Sequence, residues 1–208
     1  IRYRPSFDLG VWFSHLKESI YFTISGGLMV IYQYLPILML NIFFTAYDVG
    51  IFSAAYRIVI NMCSAGFLLP MAFYPFFSES FVKDRDRFRA THRGYRWIMI
   101  SLGLLAAFVG TVFAREIFRL LLGSQYDDSI RIFKVVVWLV PLYFLRFTYG
   151  SVLGATGDQR YYVGGGPAAI AAFVCGFTLF SRCGVAGVSV LLLLSDALIV
   201  ALLAYFFF

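Results

Sequence analysis

The 208 residues carry 17 Lys and Arg against 11 Asp and Glu, a net charge of +6, yet only 13% of the chain is charged, while 61% is hydrophobic and 20% aromatic. Mean hydropathy is +0.82. So little polar surface cannot coat a water-facing globule of this size, which excludes an ordinary soluble domain and leaves the bilayer as the solvent.

The N-terminal stretch SFDLGVWFSHLKESI sets Leu9, Trp12, Phe13, Leu16 and Ile20 at helical spacing, with Asp8, Ser14, Lys17 and Glu18 off that stripe. The pattern predicts an interfacial amphipathic helix within a cytoplasmic linker over residues 1–19. A helix needs about 20 mostly apolar residues to cross the hydrocarbon core. Six such spans follow, at about 20–44, 50–78, 97–114, 132–153, 161–181 and 184–207. The fold class read from this is all-α and integral to the membrane: a bundle of six transmembrane helices entered from an N-terminal interfacial helix. Ile1 stands where an initiator Met would, and the chain stops at Phe206–Phe208 inside an apolar run, so a piece of a longer protein is expected.

Span two contains Pro70 and Pro75, each of which removes a backbone donor and crowds the carbonyl four residues earlier, so a bend is expected there. Next comes VKDRDRFRATHRGYRW, with six cations (Lys83, Arg85, Arg87, Arg89, Arg93, Arg96) within fourteen positions. Cations resist translocation, so such a loop belongs in the cytoplasm. Six alternating spans then put ten cations on that side (Arg2, Arg4, Lys17, the six above and Arg160). Five lie on the other side: Arg115, Arg119, Arg131, Lys134 and Arg182. Both termini are therefore expected to be cytoplasmic. Phe88, Tyr95 and Trp97 among the cations would suit a nucleic-acid patch, but Asp84 and Asp86 dilute the field and topology already accounts for the charge. No nucleic-acid partner is expected; anionic lipid headgroups are.

After span three, REIFRLLLGSQYDDS reads as a short amphipathic piece at the outer interface stopped by Gly123, then a turn carrying Asp127 and Asp128. LGATGDQR is a tight cytoplasmic turn. Gly164-Gly165-Gly166-Pro167 opens span five, and Gly184 and Gly187 head span six, allowing backbones to approach closely. Cys63, Cys175 and Cys183 show no CxxC spacing, and His15 and His92 stand far apart, so no metal site and no cofactor are expected.

Taken in order, DVGIFSAAYRI at 48–58, the Pro70 and Pro75 pair in LLPMAFYPFFSES, LLLGSQYDDS at 120–129, LGATGDQR at 153–160 and CGVAGVS at 183–189 resemble the polysaccharide flippase branch of the multidrug/oligosaccharidyl-lipid/polysaccharide exporter superfamily. The resemblance implies a two-lobe transporter of the bacterial cytoplasmic (inner) membrane, of which this chain looks like the C-terminal lobe. It further implies a lipid-linked oligosaccharide or polysaccharide substrate, moved between leaflets by alternating access against the missing N-terminal six-helix half, with membrane lipid as the surrounding partner. Many relatives carry an acidic residue near where Pro36 stands, and an amide late in span five, where this chain has none between Phe173 and Phe177. Both departures weaken any cation site borrowed from those positions.

Ionisable residues inside spans cost roughly 2.5–3.5 kcal/mol each on insertion scales and so mark candidate sites. Arg57 lies about 10 Å below the outer surface, at snorkelling depth, and is a candidate cavity cation for a pyrophosphate or acidic sugar. Arg146 is a second. Asp196 is the candidate ion-coupling carboxylate. Counting fourteen residues into span four and twelve into span six places Arg146 and Asp196 at depths of about 21 and 18 Å, close enough to pair. Gln33, Asn41 and Asn61 are expected to be satisfied by hydrogen bonds between helices. A cation-coupled multidrug exporter of the same superfamily is the main alternative. A membrane-embedded glycan polymerase or acyltransferase is a weaker one: such an enzyme needs convergent acid–base groups at an interface, and neither His has a carboxylate at useful spacing. No catalytic residue is expected.

Overall fold

The computed structural model describes residues 9–83, 85–156 and 160–207, which are almost wholly helical and contain no strand. Residues 1–8, Asp84, 157–159 and Phe208 lie outside the described residues, and with them part of the turn expected at LGATGDQR. So do the side chains of Lys17, Lys83, Arg85, Asp86, Arg87, Arg89 and Arg160. Among the described residues the α-helices are α1 (Leu9–Phe43), α2 (Ala46–Gly66), α3 (Leu68–Lys83), α4 (Arg85–Val112), α5 (Ala114–Leu121), α6 (Asp127–Val136), α7 (Leu139–Thr156), α8 (Arg160–Phe180) and α9 (Gly184–Phe207). Short 3-10 turns at Ser124–Tyr126 and Ser181–Cys183 precede α6 and α9.

α1 runs unbroken through the stretch expected to lie on the membrane surface. Its 35 residues span about 52 Å at ~1.5 Å per residue, against a hydrocarbon core of about 30 Å, so its ends reach beyond the hydrocarbon. α2 starts at a reciprocal cap: Thr45 Oγ1 accepts from the Asp48 N–H at 3.3 Å, while Asp48 Oδ2 accepts from the Thr45 N–H at 3.3 Å.

Two breaks share one cause. α2 ends at Gly66 and α3 begins at Leu68, so the bend expected from Pro70 falls at the residues whose carbonyls it leaves without a partner. Pro70 has no N–H for the Gly66 carbonyl, and the Phe67 N–H turns back to the Ser64 carbonyl at 3.1 Å. The stretch expected as one span over 132–153 is likewise two helices, α6 and α7. Here Pro141 has no N–H for the Val137 carbonyl, which accepts from Val140 N–H at 3.0 Å instead, a tightened turn. Gly123, at φ 87°, supplies the left-handed residue that turns the chain out of α5.

The basic stretch is not a loop. It is helical from Arg85 onward and forms the first turns of α4. Phe88, His92, Tyr95, Met99, Gly103, Ala107 and Gly110 recur every three or four residues, and all are buried. Two of the three aromatics among the cations are therefore packing residues: Phe77 of α3 meets Phe88 and Tyr95 edge-on at 6.3 and 5.2 Å, while Trp97 is exposed. Arg93 faces outward.

α7 is the centre of the bundle, packed against α2, α3, α4 and α9. Small residues let its neighbours come close. A Cβ at Gly103 of α4 would lie 2.7 Å from the Pro141 Cα, and one at Gly66 would run into the Phe144 ring. Among the described residues, four stretches are long and apolar enough to cross a membrane: Gly26–Phe43, Ala46–Phe77, Ala90–Val112 and Gly166–Tyr205. The last holds both α8 and α9, joined by a three-residue turn and packed on each other. α7 is not among them. Arg146 sits at its middle, and a helix enclosed by protein can carry a charge that lipid would reject.

Candidate functional site

Arg146 and Asp196 meet in the heart of the bundle. Arg146 Nη1 donates to Asp196 Oδ1 at 3.0 Å, and the two residues are 6% and 1% exposed. Tyr32 of α1 donates its hydroxyl to the second carboxylate oxygen at 3.1 Å. The Arg146 guanidinium also lies 3.9 Å above the centre of the Tyr143 ring, a cation–π contact that strengthens when desolvated. Three helices thus converge on one carboxylate: α7 brings the cation, α9 the acid and α1 the phenol.

Sequence placed Arg146 and Asp196 at one depth but gave no sign of the two tyrosines. Tyr143 was in reach, since it precedes Arg146 by three residues and so shares its face. Tyr32 was not, because nothing local ties α1 to α9. Beside the cluster the buried hydroxyls of Thr148 and Ser195 are satisfied within their own helices: Thr148 donates to the Phe144 carbonyl at 2.8 Å and Ser195 to the Leu191 carbonyl at 2.9 Å. Asn41 does the same, bonding the Ile37 carbonyl at 3.0 Å rather than another helix. Asn61 is exposed. The Gln33 backbone carbonyl takes the Tyr56 hydroxyl at 3.0 Å, tying α2 to α1.

A cavity of about 180 Å³ opens beside this cluster, walled by α1, α2 and α7. Arg146 and Tyr143 form its floor, with Gln33, Cys63 and Ser64 as further polar wall and Met29, Ile60 and Phe147 as apolar wall. Asp196 lies behind Arg146 and does not line it. Arg57 is not in the cavity either. It is exposed on α2, one turn from Ile60 and two from Ser64, on the stripe that forms the α2 wall. Among the described residues no three His, Cys, Asp or Glu side chains gather as metal ligands would.

A sequence profile of the MatE family matches residues 23–180, which takes in α2 to α8 whole and most of α1. The chain belongs to the MatE family. MatE proteins are transporters of the multidrug/oligosaccharidyl-lipid/polysaccharide exporter superfamily, so this MatE chain is a multi-pass membrane protein of the transport class. No curated protein and no solved structure matches it.

Proposed function

We propose that the chain is the C-terminal lobe of a flippase that moves a lipid-linked glycan precursor across the bacterial cytoplasmic membrane by alternating access, with an N-terminal lobe supplying the facing wall. The observation that carries this reading is Arg146 on the floor of the α1–α2–α7 cavity. A guanidinium stays charged under all physiological conditions and offers a planar fork of donors matched to phosphate oxygens. Asp196 holds that fork in place while the cavity is empty. An entering pyrophosphate competes for the same N–H groups, and Asp196, losing its cation, takes up a proton or cation that couples the step. Arg57, on the same stripe of α2, is the second cation such a substrate meets.

A drug exporter is the competing reading, favoured by one observation: a buried carboxylate, Asp196, near the cavity. Its common substrates are cationic, however, and a cation entering this cavity meets Arg146 before Asp196.

The two readings separate in a host depleted of its own glycan-lipid flippase. The full-length protein should restore glycan export, and the double variant Arg146→Gln, Asp196→Asn should be abundant but inactive. Ethidium efflux restored in place of glycan export would overturn the flippase reading.

A further inference from the structure

A second cavity, of about 250 Å³, lies between the first turns of α2 and α6, away from the arginine site. Tyr47 and Gly50 of α2 line one side, and Gln125, Tyr126, Asp128 and Ser129 the other. Tyr47 donates its hydroxyl across the gap to Asp128 Oδ2 at 2.5 Å, which fixes the two helix ends relative to each other. Ser129 is fully buried, and its Oγ has no hydrogen-bond partner among the described residues. Buried hydroxyls are almost always bonded, and this one leaves bonding capacity unused beside the cavity.

The lining chemistry narrows that ligand. A phenol, an amide, a carboxylate and a hydroxyl sit together, offering donors and acceptors within one small space beside two aromatic rings. Hydroxyl groups both donate and accept, and a ring that bears several of them uses all four kinds of partner. An anion would meet Asp128. A quaternary ammonium would leave Gln125 and Ser129 unused, and the carboxylate it wants is already engaged by Tyr47. The volume falls below the ~300–1,000 Å³ of drug-sized sites and suits one ring rather than a chain.

We propose that this cavity binds a single neutral sugar ring, with Asp128, Gln125 and Ser129 bonding its hydroxyls and Tyr47 and Tyr126 covering its apolar face. Gly50 and Ser64 are fourteen residues apart, close to four turns, so both cavities open along one face of α2, about 21 Å apart. That the ring belongs to the same molecule whose pyrophosphate meets Arg146 rests on the flippase reading; binding of a free sugar does not.

Saturation-transfer NMR on the purified protein in lipid nanodiscs tests the site, with millimolar N-acetylglucosamine and glucose as probes and tetramethylammonium as the competing chemistry. A Cβ at Gly50 meets nothing within 4 Å, so Gly50→Leu can leave the helix without a clash at its first carbon and adds bulk to the cavity wall. Ring protons of at least one sugar should receive saturation in the wild type. The signal should fall about tenfold in Gln125→Ala, as loss of one to two hydrogen bonds implies, and at least as far in Gly50→Leu, whose side chain takes up the space of the ring. Absence of any sugar signal in the wild type, an undiminished signal in Gly50→Leu, or a signal from tetramethylammonium alone overturns the proposal. Pyrophosphate, followed by phosphorus line broadening in the same nanodiscs, reports the arginine cavity separately. Sugar binding without pyrophosphate binding removes the flippase reading and keeps this site, and the converse removes this site alone.

Discussion

Arg146 and Asp196 are each expensive inside a membrane and affordable together. Removing one partner of such a pair leaves an uncompensated buried charge, at a cost of about 3–5 kcal/mol. Asp196→Asn and Arg146→Gln should therefore each lower the melting temperature in detergent, and the double variant should melt above either single. If the two losses simply add, the 3.0 Å contact is not an energetic pair. The stable double variant then separates a static brace, which still exports glycan, from a switch, which does not. Tyr32→Phe should cost less, about 1.5–3 kcal/mol, because it removes one hydrogen bond to a charged group and leaves the ion pair. Arg57 predicts the opposite profile. It is exposed, so Arg57→Ala should keep normal protein levels yet impair glycan export more than Arg57→Lys; wild-type export would return Arg57 to a snorkelling cation. The charges themselves were legible in the sequence, because an ionised group in an apolar run stands out. Their shared carboxylate was legible only as a matching depth, and the tyrosines were hidden because phenols are ordinary in a chain that is 20% aromatic.

At the scale of elements, apolar runs reveal helices, while helix breaks depend on single backbone groups. Pro70 was legible as a bend because it stands deep in an apolar run. Pro141 stands just as deep, at the middle of the run over 132–153, and its break was legible by the same rule, since both leave a carbonyl without its N–H four residues back. The basic stretch misled because its charge density reads as loop, and only the recurrence of Phe88, His92 and Tyr95 marks a helix whose buried stripe docks on Phe77. The α4–α7 contact gives the test at this scale. Gly103→Ala must push its methyl against the Pro141 Cα at 2.7 Å, backbone that cannot rotate away. Overpacking of that kind costs typically about 1–3 kcal/mol. Gly50→Ala, in open space on another helix, should be neutral or slightly stabilising, since alanine is the better helix former. Equal melting temperatures for the two variants would mean that α4 and α7 do not approach as closely as Gly103 implies.

The whole molecule has two ends, and charge sets the expectation for which side of the membrane each one faces. α4 is 28 residues long, about 42 Å at ~1.5 Å per residue. It therefore carries the chain from the end bearing Arg93 and Arg96 to the end bearing α5 and the start of α6, where Arg115, Arg119, Arg131 and Lys134 are exposed. The ten-to-five division of cations read from the sequence carries the expectation that the first end is cytoplasmic. The return hairpin of α8 and α9 turns at Ser181–Cys183, and on the same topology that turn is external. Cys183 is exposed and in no disulfide, which makes the native chain its own reporter. A membrane-impermeant maleimide added to intact cells should label the wild-type protein, and Cys183→Ser should abolish the label. Cys63 is buried, and Cys175, though exposed, lies within α8, where it meets hydrocarbon and an aqueous reagent does not reach it. In the Cys183→Ser background, Arg93→Cys should label only after the membrane is permeabilised. The reverse pattern, with Arg93→Cys labelled in intact cells and Cys183 protected, would invert the orientation. It would then place the cavity between α2 and α6, the proposed sugar site, on the cytoplasmic side, where it would receive a glycan on entry rather than on release.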